Sequence, residues 1–166
     1  MKKIRTRDIQ ALMRSGQYLE AADLLLNASA SEEKVVCPTD VRERLSKYCA
    51  KRQEHFIVLC LDGSHHVIHE EVVTKGLVNR TVIHPREAYR PGILHSATAI
   101  LVAHNHPSGQ LTPSSEDLAI TRRLVEAGHL LGIPLLDHII IGRSPASFYS
   151  FIENGVMPVS LSEKDF

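Results

Sequence analysis

Two imidazoles, a hydroxyl and a carboxylate share one stretch, His104-Asn-His106-Pro-Ser-Gly-Gln-Leu-Thr-Pro-Ser114-Ser-Glu-Asp117. It follows the apolar run Ala99-Ile-Leu-Val-Ala103, which has the length and branching of a buried strand. Alternate positions of a strand point the same way, so His104 and His106 can face one metal ion from its end. Pro107, Gly109 and Pro113 punctuate a loop. Ser114 with Asp117 three residues on is a helix start, and it returns a carboxylate to the same place. Two neutral ring nitrogens and one carboxylate give zinc three protein ligands and leave its fourth tetrahedral position open, which is the mark of catalysis. Zinc so held lowers the pKa of its bound water to about 7 and polarises carbonyls. A hydrolase also needs a base, and Glu54, Glu70, Glu71 and Glu87 are candidates. Position favours Glu54, just before the first strong strand, over Glu70 and Glu71, which fall within a strand; spacing alone leaves the choice open. Ser114 suits an oxyanion donor, and equally an N-cap.

The elements that must position these groups read as follows. Residues 6–28 carry Ile9, Leu12, Met13, Tyr18, Ala22, Leu25 and Leu26 at helical spacing broken by Ser15-Gly16, which predicts a hairpin of two short helices, an accessory or dimerisation element. After a polar linker, Pro38 opens a helix expected through about Arg52, with Val41, Leu45 and Tyr48 on its buried side. Residues 1–36 are thus an N-terminal helical extension and linker, and residues 37–166 the main domain. Phe56-Ile-Val-Leu-Cys-Leu61, the turn dipeptide Asp62-Gly63 and Val67 to Val73 form a β-hairpin. A short strand over Arg80 to Ile83 leads into a helix from Pro85 towards Ser96, which Pro91-Gly92 should kink or shorten. The strand from Ala99, the metal loop, a long helix over Ser115 to about Leu131, a strand over Leu135 to Ile141 and a last strand near Phe148 complete the order. Hairpin and crossover strands alternate with helices, so the expected class is α/β, a mixed sheet flanked by helices.

Composition excludes several functions. At 166 residues and 43% apolar, the chain suits one main globular domain. Lys plus Arg equals Asp plus Glu at 19 each, so no global positive field draws in nucleic acid. Cys37, Cys49 and Cys60 are odd in number and lack a CxxC pair, against both a disulfide framework and a thiolate zinc site. No segment has membrane-spanning length and the basic N-terminus has no apolar run behind it, so a cytoplasmic location is expected. A nucleobase deaminase needs His-x-Glu followed by Pro-Cys-x-x-Cys, and this chain has His-Asn-His. His84 and His138 are candidates to hold a ligating imidazole from behind, although both read first as hydrogen-bonded structural residues. His65, His66 and His69, and the pairs Arg86/Arg90 and Arg122/Arg123, read as surface.

Written as H-x-H-x7-S-x2-D, the loop resembles the signature of the JAMM (MPN/Jab) zinc metalloproteases. The phrases Val82-Ile-His-Pro-Arg-Glu87, Ala103-His-Asn-His-Pro-Ser-Gly109, Thr121-Arg-Arg-Leu-Val-Glu-Ala-Gly128 and Leu136-Asp-His-Ile-Ile-Ile-Gly142 narrow this to the RadC-type branch. The likeness runs from about residue 38 to residue 157. It implies a cytidine-deaminase-like JAMM/MPN fold, one zinc on His104, His106 and Asp117, Glu54 as general base and Ser114 as oxyanion donor. A peptide or protein substrate follows from that activity, with a peptidase or isopeptidase reaction. The family also carries a DNA-repair label, so a repair, recombination or mobile-element accessory role is the alternative. The helix-hairpin-helix pattern of longer relatives is not found in these residues, so direct nucleic-acid binding has no residue basis here.

Overall fold

The computed structural model describes residues 11, 14–18, 34–35, 37–76, 83–144 and 146–159. The chain divides into two compact units, Met1–Glu33 and Lys34–Phe166. In the first, Ser15 and Gly16 make a turn, with the Ser15 N–H donating to the Ala11 carbonyl at 3.1 Å; the rest of the expected helical hairpin lies outside the described residues.

The second unit is a mixed five-stranded sheet with helices on both faces. Helix α1 (Pro38–Arg44) leads through a 3-10 turn (Ser46–Tyr48) to β1 (His55–Leu61) and β2 (Val67–Lys75). Helix α2 (Pro85–Leu94), β3 (Ala99–Asn105), helix α3 (Ser115–Leu131), β4 (Leu135–Ile141) and β5 (Phe148–Ser150) follow. The strand order is β2-β1-β3-β4-β5, with β3 and β4 parallel and the other pairs antiparallel. A parallel pair needs a crossover, which α3 supplies.

Every residue of β1 and β3 is buried, as their unbroken apolar runs require of strands covered on both sides. On one face Ile57, Leu59, Leu101 and Ala103 pack with Val41, Leu45 and Tyr48. On the other, Val58, Ile100 and Val102 pack with Ala88 and Tyr89 of α2 and Leu124 of α3. Fully burying each such aliphatic side chain contributes about 1.5–3 kcal/mol, so the two layers clamp the central strands that end at the candidate site.

Two expectations, on the first helix and on the Asp62-Gly63 turn, need correction. The first helix stops at Arg44 rather than near Arg52: Ser46, Tyr48 and Cys49 are weaker helix formers, and the tighter turn lets Tyr48 and Cys49 both reach the core. Pro91 and Gly92 lie inside α2, which ends at Leu94, short of Ser96. Gly92 lets α2 approach β3 closely, since a Cβ there would stand 3.2 Å from Ile100 Cγ2. The Asp62-Gly63 turn is longer than a dipeptide: the Asp62 carboxylate accepts from the Ser64 and His66 N–H groups, and His65 turns the chain at φ 66°. The strand expected over 80–83 lies, apart from Ile83, outside the described residues.

Helix α3 follows its sequence signals at both ends. Ser114 is its N-cap in a capping box with Asp117, a job worth about 1 kcal/mol. Gly132 ends it at φ 67°, a left-handed conformation that glycine adopts without a Cβ clash.

Candidate metal centre

The register of the sheet brings the distant residues together. Phe56 pairs with His104, so the segment just before β1, carrying Glu54, lies beside the end of β3. His104, next to last in β3, lies on the face covered by α3, and just past the strand the His106 N–H donates to the Ile141 carbonyl of β4 at 2.9 Å. The two ring Nε2 atoms stand 2.8 Å apart. Asp117, in the first turn of α3, brings Oδ1 to 3.2 Å from His104 Nε2 and Oδ2 to 3.6 Å from His106 Nε2. Glu54 Oε1 lies 3.8 Å from His104 Nε2. One ligand atom from each of Glu54, His104 and His106 fits within 4.8 Å of the others, so this group could hold a metal ion.

The donor set suits a dication that takes nitrogen and oxygen. His106 Nδ1 lies 2.5 Å from the Gln110 carbonyl oxygen, which can only accept; Nδ1 therefore bears the proton and Nε2 presents a lone pair to the centre. Asp117 Oδ2 already accepts from the Ser114 N–H at 2.8 Å and the Ser114 hydroxyl at 2.6 Å, which leaves Oδ1 as the oxygen with coordination to spare. Burial pushes the Asp117 carboxyl up, but its close contacts with the His104 and His106 rings and its hydrogen bonds with Ser114 outweigh it and hold the group well below the usual carboxylate range. Burial lowers His106, and its contacts with Asp117 and the Gln110 carbonyl reverse this to a net rise. Two carboxylates facing two imidazoles give the centre a negative field that a cation relieves.

Burial separates the carboxylates. The Asp117 side chain is 4% exposed beneath the imidazoles, whereas the Glu54 side chain is 14% exposed. Glu54 lines an open cleft of about 600 Å³, together with Arg52, His106, Pro113 and Ser114. The other glutamates read as possible bases are engaged elsewhere: Glu70 with Arg44 and Lys47, Glu71 with Arg90, and Glu87 with Arg86.

Of the residues that carry the geometry, Asn105 escaped sequence reasoning, whereas His138 stood as a candidate. Asn105, between the histidines, points to the opposite face by alternation. Its Oδ1 accepts from the His55 N–H at 2.8 Å, and its Nδ2 donates to the Gln53 carbonyl at 3.1 Å, so Asn105 brackets Glu54 on both sides. The Gly76 N–H holds the Glu54 carbonyl at 2.9 Å. His138, read first as structural, in fact reaches a ligand candidate, with Nε2 2.8 Å from His104 Nδ1. Burial keeps its ring well below the usual histidine range. Thr121 stands behind it at 2.6 Å. The signal available for His138 was its place beside a resembling motif; none marked Asn105. His84, the other candidate, caps α2 by accepting from the Arg86 N–H. His69 stacks on His95 at 3.8 Å, away from the centre described above.

Comparison with known proteins places this geometry in a family. The RadC-like JAB domain matches residues 35–156. A UPF0758 protein of Staphylococcus haemolyticus is 50% identical over 123 residues, 74% of this chain and 53% of the relative. One of Geotalea uraniireducens is 44% identical over 128 residues, 76% of this chain and 55% of the relative. One of Staphylococcus epidermidis is 41% identical over 165 residues, 93% and 72% of the two chains. The chain spans about half the length of most of the curated relatives it matches. With that match covering most of its length and the sheet, helices and metal-competent cluster in place, the chain belongs to the RadC-like JAB domain family.

Proposed function

We propose that this domain is a zinc-dependent amide hydrolase, a peptidase or isopeptidase. The observation that carries the reading is the division of labour between the carboxylates. Asp117 is buried with one oxygen saturated by Ser114 and the other turned to the imidazoles, while Glu54 stands at the cleft. His104, His106 and Asp117 would hold the ion. Zinc bound there supplies Lewis-acid polarisation of a carbonyl and activation of water at neutral pH. Glu54 takes the proton from the attacking water and returns it to the leaving amine, the work of a carboxylate within reach of both. Ser114 lines the same cleft, and turning its hydroxyl from Asp117 to the substrate would let it donate to the developing oxyanion.

The cleft favours an extended chain as substrate. It is open, is bordered by Pro107, Gln110, Thr112 and Pro113, and among the described residues has Arg52 as its single lysine or arginine. Phosphate tracking calls for several such contacts, so a peptide or protein fits better than a nucleic acid. No helix among the described residues is long and apolar enough to cross a membrane.

The test is cleavage of mixed peptide and isopeptide-linked substrates, read by mass spectrometry, by the zinc-loaded protein and by Glu54→Gln. General acid–base catalysis contributes about 10²–10⁴-fold, so the variant should fall by at least about 100-fold with its zinc retained. Equal cleavage by the two proteins would refute the assignment.

A further inference from the structure

Behind His104 runs a chain of hydrogen bonds whose directions are forced by chemistry. The Thr121 Oγ1 lies 2.6 Å from the Asp117 backbone carbonyl and 2.6 Å from His138 Nδ1. A carbonyl only accepts and a hydroxyl has one proton, so Thr121 donates to Asp117 and must accept from His138. His138 Nδ1 therefore bears a proton. The ring is fully buried between Phe56 and Phe151, with ring centres at 5.7 and 4.6 Å. Its Nε2 faces His104 Nδ1 at 2.8 Å, and with the proton on Nδ1 that Nε2 is the acceptor. His104 must then donate from Nδ1, so in the neutral ring Nε2 keeps the lone pair that a metal takes.

We infer that Thr121 and His138 are positioning residues that fix the tautomer of His104, so that Nε2 meets the metal as a lone pair. The inference rests on the zinc reading of the site, and it goes beyond it by assigning work to two residues that touch no metal. Asp117 belongs to both ends of the chain: its carboxylate faces the ion and its backbone carbonyl sets the polarity of the relay. His106 has a one-step equivalent in the Gln110 carbonyl. A ligand's tautomer is set by what its other nitrogen bonds, and loss of such partners weakens metal affinity about 10–100-fold.

Nitrogen-15 correlation spectra of the metal-free and zinc-loaded protein read the tautomers directly, and chelator competition reads zinc affinity. His138 should show the Nδ1–H pattern in both states, and His104 should show it when zinc is bound. Thr121→Val, close to isosteric, should let the His138 proton move to Nε2 and weaken zinc about 10-fold or more, with Thr121→Ser restoring both readouts. His138→Phe should lose affinity, while His138→Gln, which can present an acceptor to His104, should recover much of it. A proton on His138 Nε2 in the unaltered protein, or unchanged zinc affinity in Thr121→Val, would overturn the relay. Failure of the unaltered protein to bind zinc would refute the site reading instead, and the His138 tautomer would still decide the relay.

Discussion

Replacing Asn105 with alanine should separate the base from the metal site. The side chain accepts from His55 N–H at 2.8 Å and donates to the Gln53 carbonyl at 3.1 Å and, more weakly, to the Lys51 carbonyl at 3.4 Å. Each good bond is worth about 1 kcal/mol net, and an orphaned buried partner costs about 1–3 kcal/mol more. The His55 N–H sits in such a buried place, so the total is about 2–4 kcal/mol. For a domain of this size that corresponds to a melting temperature lower by roughly 10 °C. The larger effect is on position: with both neighbours of Glu54 released, its carboxylate loses its bearing on the cleft, and a small misplacement of a catalytic group costs up to about 100-fold. Zinc affinity should stay near its original value, because His104, His106 and Asp117 are held by other partners. Urea unfolding, chelator competition and turnover of one cleaved substrate measure the three quantities. Unchanged stability and turnover, or lost zinc with intact turnover, would refute the reasoning.

Other consequences lie in the packing and the titrating groups. Gly128→Ala would set a Cβ 2.3 Å from Tyr89 Oη and 2.6 Å from the Ile133 carbonyl, so Tyr89 must give up its 2.8 Å bond to the Leu124 carbonyl. Overpacking of this kind costs about 1–3 kcal/mol or more, read as a lower unfolding midpoint. A thiol reagent should label Cys37 in the native protein and spare Cys49 and Cys60 until unfolding; burial and the Glu71 charge push the Cys60 thiol up to about 11. Rapid labelling of all three without denaturant would contradict the buried core. Burial raises the Asp137 carboxyl against its hydrogen bonds to Ser150, Ile152 and His138. The folded state then holds that proton more tightly, so the stability it contributes at low pH is lost as pH rises from the ordinary carboxylate value through the raised one. Asp137→Asn should flatten that slope in unfolding measured across pH, and an unchanged slope would refute it.

How much of this was legible in the chain depends on the range of the interaction. His104, His106, Ser114 and Asp117 lie in one stretch, and strand alternation, loop residues and capping chemistry are local rules, so their convergence could be read directly. Glu54 could be favoured but not fixed from the residues, because its place depends on the β1–β3 register that pairs Phe56 with His104. The family resemblance supplied that choice. Asn105 and Thr121 were invisible, and His138 stood only as a candidate, for a related reason: a polar group among apolar neighbours has no partner until the adjoining loop, helix and strand are in place. The overlong first helix shows the opposite failure, in which a good N-terminal signal at Pro38 carried no information about where core packing would tighten the turn.

The central claim is that Asp117 binds the metal and Glu54 does not. Metal content and zinc affinity of the purified protein, of Asp117→Asn and of Glu54→Gln, measured side by side by elemental analysis and chelator competition, test it most directly. One zinc per chain in the unaltered protein and in Glu54→Gln, with affinity lost in Asp117→Asn, is the predicted result. Zinc retained by Asp117→Asn and lost from Glu54→Gln would reverse the roles of the carboxylates and contradict the account.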